Sequence, residues 1–207
     1  MIHIFKLNKV IAGLLLIMLL ACQGCLGHRD VAVRYYTLEY SPDEIVKTFA
    51  NAGPVEKSLL VNPVEIHPAF SSNQIAIRED THEIRYFSFN QWAVRPDQSL
   101  TSLLTDFLKR SNIFSSVYSP MVYIETDLTL ETTVYNLEIV EDGRTFNARL
   151  NLEYRLNSSD GQVLYSHRAD RKETLEDRNL NLFSEAITSI FIGELENFMD
   201  LALDGLR

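Results

Sequence analysis

Apolar and polar residues alternate most regularly between residues 148 and 156. A period of two predicts a β-strand with one buried face and one solvated face. The apolar positions of this strand are Ala148, Leu150, Leu152, Tyr154 and Leu156. Asp-Gly pairs at residues 142–143 and 160–161 are strong signals for tight hairpin turns on either side of it. With strand-like residues 122–139 before it and 162–171 after it, the pattern predicts a three-stranded meander.

The strand before the first of these turns changes its apolar phase halfway along. Its apolar residues form two sets that are out of step, Leu128 and Leu130, then Tyr135, Leu137 and Ile139. One extra residue in a strand shifts the alternation by one position. A β-bulge near residues 132–133 is therefore expected, because it would keep both sets on the same face.

Two segments have the spacing of three and four residues that indicates an amphipathic helix. The first is predicted to begin at residues 96–97, Pro-Asp, since proline is tolerated in a first turn and an acid suits the positive end of the helix dipole. It is predicted to end near residues 111–112, after which residues 113–117 lead back to the sheet. The predicted buried stripe comprises Leu100, Leu103, Leu104, Phe107 and Leu108.

The second predicted helix spans residues 181–204 and closes the chain. Its broad apolar stripe comprises Phe183, Ile187, Ile190, Phe191, Leu195, Phe198, Met199 and Ala202. The opposite face is acidic, with Glu185, Glu194, Glu196 and Asp200. A helix that lies on an anionic membrane surface needs Lys and Arg there. The pattern therefore favours a helix that covers the core over one that lies on a membrane.

Shorter strand-like runs precede the first helix. They are predicted at residues 31–40 and 58–66, and as a hairpin pair at 74–79 and 83–89. A short helical turn is expected at residues 41–49, after a Ser-Pro-Asp-Glu capping sequence. Runs of strands with helices between them predict an α+β fold, an antiparallel sheet with two main helices packed on one side.

The N-terminal residues have the pattern of a secretory signal that ends at a cysteine. Lys6 and Lys9 precede an apolar run from Val10 to Ala21, and Cys22 follows directly. The run is about a dozen residues long, whereas a helix needs roughly 20 residues to cross a bilayer. We therefore expect residues 1–21 to be an export signal rather than a permanent membrane span.

Residues 19–22, Leu-Leu-Ala-Cys, are similar to the cleavage site of bacterial lipoproteins, with Leu20 where a smaller residue is more usual. Lipidation is expected at Cys22, with Cys25 as the alternative, because Gln23-Gly24 would interrupt the apolar end of a signal that stopped at Cys25. Acyl chains such as palmitate contribute about 0.8 kcal/mol per buried methylene, so several chains anchor a protein stably. An ordinary cleaved signal and an uncleaved anchor are the other interpretations.

Gln23, the residue after the expected lipidation site, is not the aspartate that retains enterobacterial lipoproteins at the inner membrane. This favours the periplasmic face of the outer membrane. The expected organisation is a signal peptide at residues 1–21, a lipidated tether at 22–33 and a single domain at 34–207. Only two cysteines occur, both at the signal exit, so a disulfide is not expected within the domain.

Composition fits an ordinary globular domain, with 46% hydrophobic residues, 8 Gly and 6 Pro in 207 residues. Removal of residues 1–21 takes away two lysines and no acid, so the formal charge falls from −9 to −11. Such acidity argues against nucleic acid as a partner and against broad docking on anionic lipid. High solubility is its simpler explanation.

No specific catalytic, cofactor-binding or metal-binding motif is found in the sequence. His82-Glu83 begins a zinc-protease pattern, but the required second histidine is Tyr86. The Cys-Gln-Gly-Cys sequence at residues 22–25 lies on the cleavage site rather than at the start of a helix beside a strand, so a redox site is not expected. We therefore predict a non-enzymatic protein without a cofactor.

One block of the chain resembles a known family, the ABC-type transport auxiliary lipoproteins of the paraquat-inducible protein C group. The block runs from Gln74 to Val117, and Tyr35 to Leu38 resemble the family's first strand. The residues of the block that carry the resemblance are Gln74, Ile75, Arg78, Glu83, Ile84, Tyr86, Phe89, Trp92, Ala93, Pro96, the leucines of the helix, Ser111, Phe114 and Val117. Beyond Val117 only the order of three strands and a helix agrees.

The resemblance implies a lipid-anchored periplasmic accessory of an intermembrane lipid-transport system. Its implied partners are an ABC transporter and a substrate-binding protein of the mammalian-cell-entry type, and homo-oligomerisation is left open. Trp92 could anchor such a partner or pack in the core, and Arg78 could bind a partner or pair with nearby Glu79 or Glu83. The alternative functions are an independent carrier of lipid or another hydrophobic ligand, and an outer-membrane assembly or structural lipoprotein.

Overall fold

Three long strands form the predicted meander, with β7 at Leu128–Asp142, β8 at Thr145–Ser158 and β9 at Val163–Leu175. Gly143 and Gly161 have positive φ angles of 61° and 84°, which glycine adopts at no steric cost in tight hairpin turns. The computed structural model describes residues 32–40, 54–79, 82–119 and 124–206. The predicted signal, both cysteines, most of the tether, the predicted helical turn at residues 41–49 and the hairpin tip at residues 80–81 lie outside the described residues.

A bulge in β7 corrects the apolar phase for Leu137 and Ile139, as the sequence predicts. Tyr135, however, is the extra residue and is not buried in the core, and its hydroxyl donates to Glu153 Oε2 at 2.8 Å. The register with β8 shifts between Val134 and Asn136, which places the extra residue two positions beyond the predicted site. Leu130 and Val134 before the bulge therefore share the buried face with Leu137 after it.

The other edge of β7 pairs with three short strands in succession. They are β2 at Val55–Val61, β3 at Glu65–Ile66 and β4 at Gln74–Arg78. Asn62 N donates to Leu130 O and His67 N to Val134 O, so this part of the chain follows β7 in one direction. All three strands are parallel to β7. The sheet is therefore mixed, whereas the sequence pattern predicted an antiparallel sheet. The predicted strand at residues 58–66 is divided into β2 and β3.

The sheet divides into two branches beyond these strands. One branch adds β6, Phe114–Tyr118, parallel to β2. The other adds β5, Ile84–Trp92, antiparallel to β4, and then β1, Arg34–Tyr36, parallel to β5. The strand predicted at residues 31–40 is thus only three residues long, because the chain leaves the sheet after Tyr36.

Two helices cover one side of the sheet and confirm the predicted α+β class. They are α1 at Pro96–Ser111 and α2 at Leu180–Leu206. Asn112 follows α1 in the left-handed conformation, with φ of 52°, which ends the helix where the sequence predicts. The apolar stripes of both helices share one buried cluster with the inner face of the sheet. This packing supports the prediction that α2 covers the core.

Candidate docking site

Trp92, at the end of β5, is buried within the core with 1% of its surface exposed. Its ring packs against Phe183 of α2, with the ring centroids 5.7 Å apart. Its backbone is paired with Asn73, since Trp92 N donates to Asn73 O at 2.7 Å. The structure therefore places Trp92 between the hairpin and the last helix, where it has almost no surface to offer a partner.

Arg78, at the end of β4, pairs with Glu138 of β7, a residue 60 positions later that the sequence pattern did not single out. Arg78 Nε and Nη2 lie 3.0 and 2.9 Å from Glu138 Oε2, and the Glu138 side chain is fully buried. Arg149 of β8 approaches the other oxygen, with Nη1 3.2 Å from Oε1. Two guanidinium groups thus compensate one buried carboxylate, an arrangement that such burial requires.

Arg149 extends this pairing across the sheet to β9. Its Nε and Nη2 donate to the two carboxylate oxygens of Asp170 at 2.9 and 2.8 Å. This bidentate contact holds the pKa of Asp170 below its usual range, although partial burial opposes ionisation. Glu138, Arg149 and Asp170 therefore form a ladder across three strands, which we call the charge ladder. It lies on the face turned away from the helices.

A polar depression of about 650 Å³ lies beside the charge ladder. Its lining mixes cations and acids, and includes Arg78, Glu79, Asp142, Arg149 and Lys172. Among the residues that the structure describes, no three His, Cys, Asp or Glu side chains are grouped closely enough to hold a metal ion. The depression therefore has no excess of one charge that would select a small ion.

A second ionic cluster connects β9 to α2 on the helix side. Glu194 of α2 is 6% exposed, and it accepts from Arg171 Nε at 2.5 Å while lying 2.7 Å from His167 Nε2. Burial opposes ionisation of Glu194, but the hydrogen bonds and charges of Arg171 and His167 outweigh it and hold the pKa below its usual range. Burial, together with the charge of Glu194, raises the pKa of Tyr154, whose hydroxyl donates to Phe191 O at 2.7 Å. The cluster joins a helix to the edge of the sheet.

A groove with mainly apolar walls lies between α1, α2 and the segment that follows β1. Its volume is about 690 Å³. The apolar walls are Leu38, Tyr40, Val94, Leu103, Phe107 and Ile192. Glu39, Asp106 and Arg110 lie in the same lining and are the charged residues of the groove. We call this feature the α1 groove, and it is the most apolar of the large depressions among the described residues.

Exposed apolar side chains are also found on the β1–β5 edge of the sheet. Arg34 pairs with Asn90 and Tyr35 with Gln91, so Val33, Tyr35 and Phe89 fall on one face of this edge. Their exposed fractions are 39%, 64% and 48%. We call these three residues the edge patch. An exposed cluster of this kind is typical of a contact surface for another protein.

The alternation in β8 gave one signal for the charge ladder, since Arg149 lies between the apolar positions Ala148 and Leu150 and so falls on the predicted solvated face. The position of Glu138 opposite Arg149 follows only from the bulge and the hairpin register together. The α1 groove and the edge patch depend on the pairing of β1 with β5, which are 54 residues apart in sequence at Tyr36 and Asn90. No local pattern predicts that pairing.

No helix in the described part of the chain is both long enough and apolar enough to cross a bilayer. The model of one protein family, described as ABC-type transport auxiliary lipoprotein component, matches residues 36–185. No curated protein matches the chain.

Two solved structures resemble the fold. Protein XCC0632 from Xanthomonas campestris is 18% identical, with 73% of this chain and 92% of that chain covered and a TM-score of 0.61. An uncharacterized protein is 15% identical, with 82% and 99% covered and a TM-score of 0.61. At such low identities these similarities show the fold alone.

Proposed function

Because the chain belongs to the ABC-type transport auxiliary lipoprotein family, we propose that it is a non-enzymatic accessory of an intermembrane lipid transporter. The family match over residues 36–185 is the observation that carries this proposal. The partners proposed are an ABC transporter and its substrate-binding protein of the mammalian-cell-entry type. The accessory acts on the periplasmic side, where it docks on or positions the transporter.

Attachment to the outer membrane is the second part of the proposal. Cys22 is the proposed lipidation site, and Cys25 is the alternative. Several acyl chains anchor a protein stably where a single chain binds only marginally. The twelve residues from Cys22 to Val33 span at most about 40 Å when extended. An anchored domain would thus stay close to the membrane while its edge patch remains able to meet a partner.

The edge patch supports the docking role. Three apolar side chains on or directly beside the β1–β5 pair are exposed together. Interfaces are enriched in aromatic residues, and Tyr35 and Phe89 are both aromatic. We propose that the periplasmic partner contacts the domain here.

Photo-crosslinking in intact cells tests this function. A photoreactive amino acid is placed at Tyr35 or Phe89, and at Leu201 of α2 as a control, because Leu201 is also exposed, by 61%. The cells are irradiated and the crosslinked products are identified by mass spectrometry. Recovery of a transporter or cell-entry-type component from the edge patch positions, and not from position 201, is expected. Recovery of no such component from any position would refute the accessory role.

The anchor has a separate test. A Cys22→Ser variant is expected to fold but to leave the membrane fraction, while Cys25→Ser stays with it. Mass spectrometry of the mature N-terminus identifies the acylated residue. If only Cys25→Ser released the protein, the lipidation site would be Cys25, and if neither variant did, the protein would be held by another means.

A further inference from the structure

The α1 groove is open to solvent although its walls are largely apolar. Phe107, Leu38 and Ile192 form its floor and are 1%, 5% and 2% exposed. Leu103 and Tyr40 are half-buried on its sides, and Val94 is 46% exposed at its mouth. The Tyr40 ring contacts Phe107 edge to face with the centroids 6.4 Å apart, and Phe107 belongs to the core. The α1 groove is therefore lined by side chains that pack on the core.

The size of the groove suits part of an amphiphile. Ligand sites in proteins have volumes of about 300–1,000 Å³, mostly apolar walls and a few polar groups that fix orientation. The α1 groove, at about 690 Å³, has this composition. Burial of each methylene raises the affinity of an apolar chain about fourfold, so a single acyl chain gains affinity steeply with its length.

The charged residues of the lining restrict the head group. Arg110 lies in the last turn of α1, and Asp106 lies one turn before it on the same face. Glu39 belongs to the opposite wall, in the segment after β1. Within the described residues no ion pair or hydrogen bond engages these three side chains. One cation and two acids that remain available complement a head group that carries both an anionic phosphate and an amine.

We propose that the α1 groove binds one acyl chain of a zwitterionic phospholipid whose head group contains a phosphate and a primary amine. Arg110 donates to the phosphate, and Asp106 or Glu39 accepts from the ammonium group. This proposal deepens the transport function proposed above and rests on it only for the source of the lipid. The chain would then hold a molecule of the transported class rather than only position the machinery.

Photolabelling of the full-length protein tests the site directly. The probe is phosphatidylethanolamine with a diazirine near the end of one acyl chain, incorporated with the protein into phosphatidylcholine nanodiscs. After irradiation, adducts are mapped by peptide mass spectrometry. Adducts on the peptides that contain Val94, Leu103 and Phe107 are expected, and excess unlabelled phosphatidylethanolamine should compete. Labelling that is uniform, or that is concentrated around Leu201, would overturn the proposal.

Two substitutions separate the acyl chain from the head group. Leu103→Gln makes one wall polar and is expected to lower labelling in the groove about tenfold, whereas Leu201→Gln on α2 leaves it unchanged. Arg110→Glu is expected to lower labelling by phosphatidylethanolamine severalfold, with Arg155→Glu on the sheet as its control. Fluorescence of the buried Trp92, the only tryptophan, verifies that each variant is folded. A Leu103→Gln variant that is folded and labelled as strongly as the unmodified protein would contradict the proposed wall.

Competition identifies the ligand class. Phosphatidylethanolamine should compete better than phosphatidylglycerol, which has no amine, and better than a free fatty acid, which has no phosphate. Equal competition by all three would overturn the head-group assignment. A photoreactive residue at position 103 that crosslinks to residues 41–53 of the same chain would show that the chain itself occupies the groove, and would also overturn the proposal. None of these measurements needs a transporter, so labelling of the groove, with no transporter component crosslinked at any position, would refute the accessory role alone.

Discussion

The two faces of the meander are built from the same strands but exclude water in different ways. On the face toward α2, the apolar residues Leu150, Leu152 and Tyr154 of β8 are fully buried under a helix. On the other face, Glu138 is also fully buried, but there its neighbours are Arg78 and Arg149. The face toward α2 is stabilised by contact between apolar side chains and tolerates few buried polar atoms. The second depends on a matched set of charges.

This difference predicts how each face fails. Loss of an apolar side chain removes contact area and leaves a cavity, so its cost depends on volume. Loss of one member of the charge ladder leaves another buried charge without its partner. The decrease in the free energy of unfolding therefore depends on which charged side chains still compensate that buried charge. The free energy of unfolding, measured by urea denaturation with Trp92 fluorescence, compares the two faces on one scale.

Phe198→Ala on the helix side is expected to have the largest effect. The Phe198 ring is 1% exposed and stacks on Tyr154 with centroids 5.7 Å apart. Truncation of a buried phenylalanine lowers the free energy of unfolding by about 3–5 kcal/mol. Leu201→Ala, on the solvent-exposed face of the same helix and 61% exposed, is the control and should change it by less than about 0.5 kcal/mol. Similar losses in both variants would show that α2 is not anchored by its apolar stripe.

Arg149→Leu on the open face is expected to follow, with a loss of about 3 kcal/mol. Breaking a buried ion pair costs about 3–5 kcal/mol, and the lower end applies because Arg78 still contacts Glu138. Arg155→Leu is the matched control on the same face of β8. Arg155 is 45% exposed and pairs with Glu153 at 2.9 Å, an arrangement that contributes less than about 1 kcal/mol. If the two substitutions had equal effects, the charge ladder would be no more than a surface ion pair.

The ionic cluster at Glu194 gives the helix side a pH dependence. Glu194→Gln is expected to lower the free energy of unfolding by about 1–2 kcal/mol at pH 7, because charged hydrogen bonds from Arg171 and His167 are weakened. The pKa of Glu194 is lower in the folded chain than its unfolded value of about 4.3. Its contribution is therefore fully present above that value and is lost as the pH falls through the folded pKa.

Urea denaturation of both proteins between pH 3 and pH 7 measures this effect. The difference between the unmodified chain and Glu194→Gln should shrink toward zero at the acid end, since Glu194 is then neutral in both states. A difference that stayed constant across this range would mean that the carboxylate charge does not stabilise the β9–α2 contact.

Local patterns predicted most of the helix side and little of the rest. The alternation in β8, the glycines at the turns, the stripe of α2 and the existence of the β7 bulge are consequences of backbone geometry within a few residues. Parallel pairing of β2, β3 and β4 with β7 is different, because it joins residues that are 62 to 69 positions apart in the sequence. Such pairing depends on which surfaces the whole chain can bury together, so no short segment of the sequence predicts it.

The same limit applies to the candidate sites. Arg78 was a candidate for binding a partner or for pairing with a nearby acid, and the structure pairs it with Glu138 on the neighbouring strand β7. Trp92 was a candidate on the basis of its residue type, and its burial depends on Phe183 of α2, a residue 91 positions further along. The α1 groove combines α1, α2 and the segment after β1, each recognisable alone. The packing of these three segments around one groove could not be predicted from the sequence of any one of them.

The turn between β7 and β8 decides which residues reach each face, and its glycine should have the smallest effect. Gly143 has a φ of 61° and no heavy atom within 4 Å of a Cβ built there, so Gly143→Ala adds backbone strain and no clash. An L-residue in the left-handed region costs about 1 kcal/mol. Gly193→Ala is the matched control, because this glycine lies inside α2, also with open space around its Cβ, and alanine should stabilise the helix by about 0.5–1 kcal/mol. The two substitutions therefore have opposite signs in the same urea measurement, and a stabilising Gly143→Ala would show that the turn does not require the left-handed conformation that sets the register of both faces.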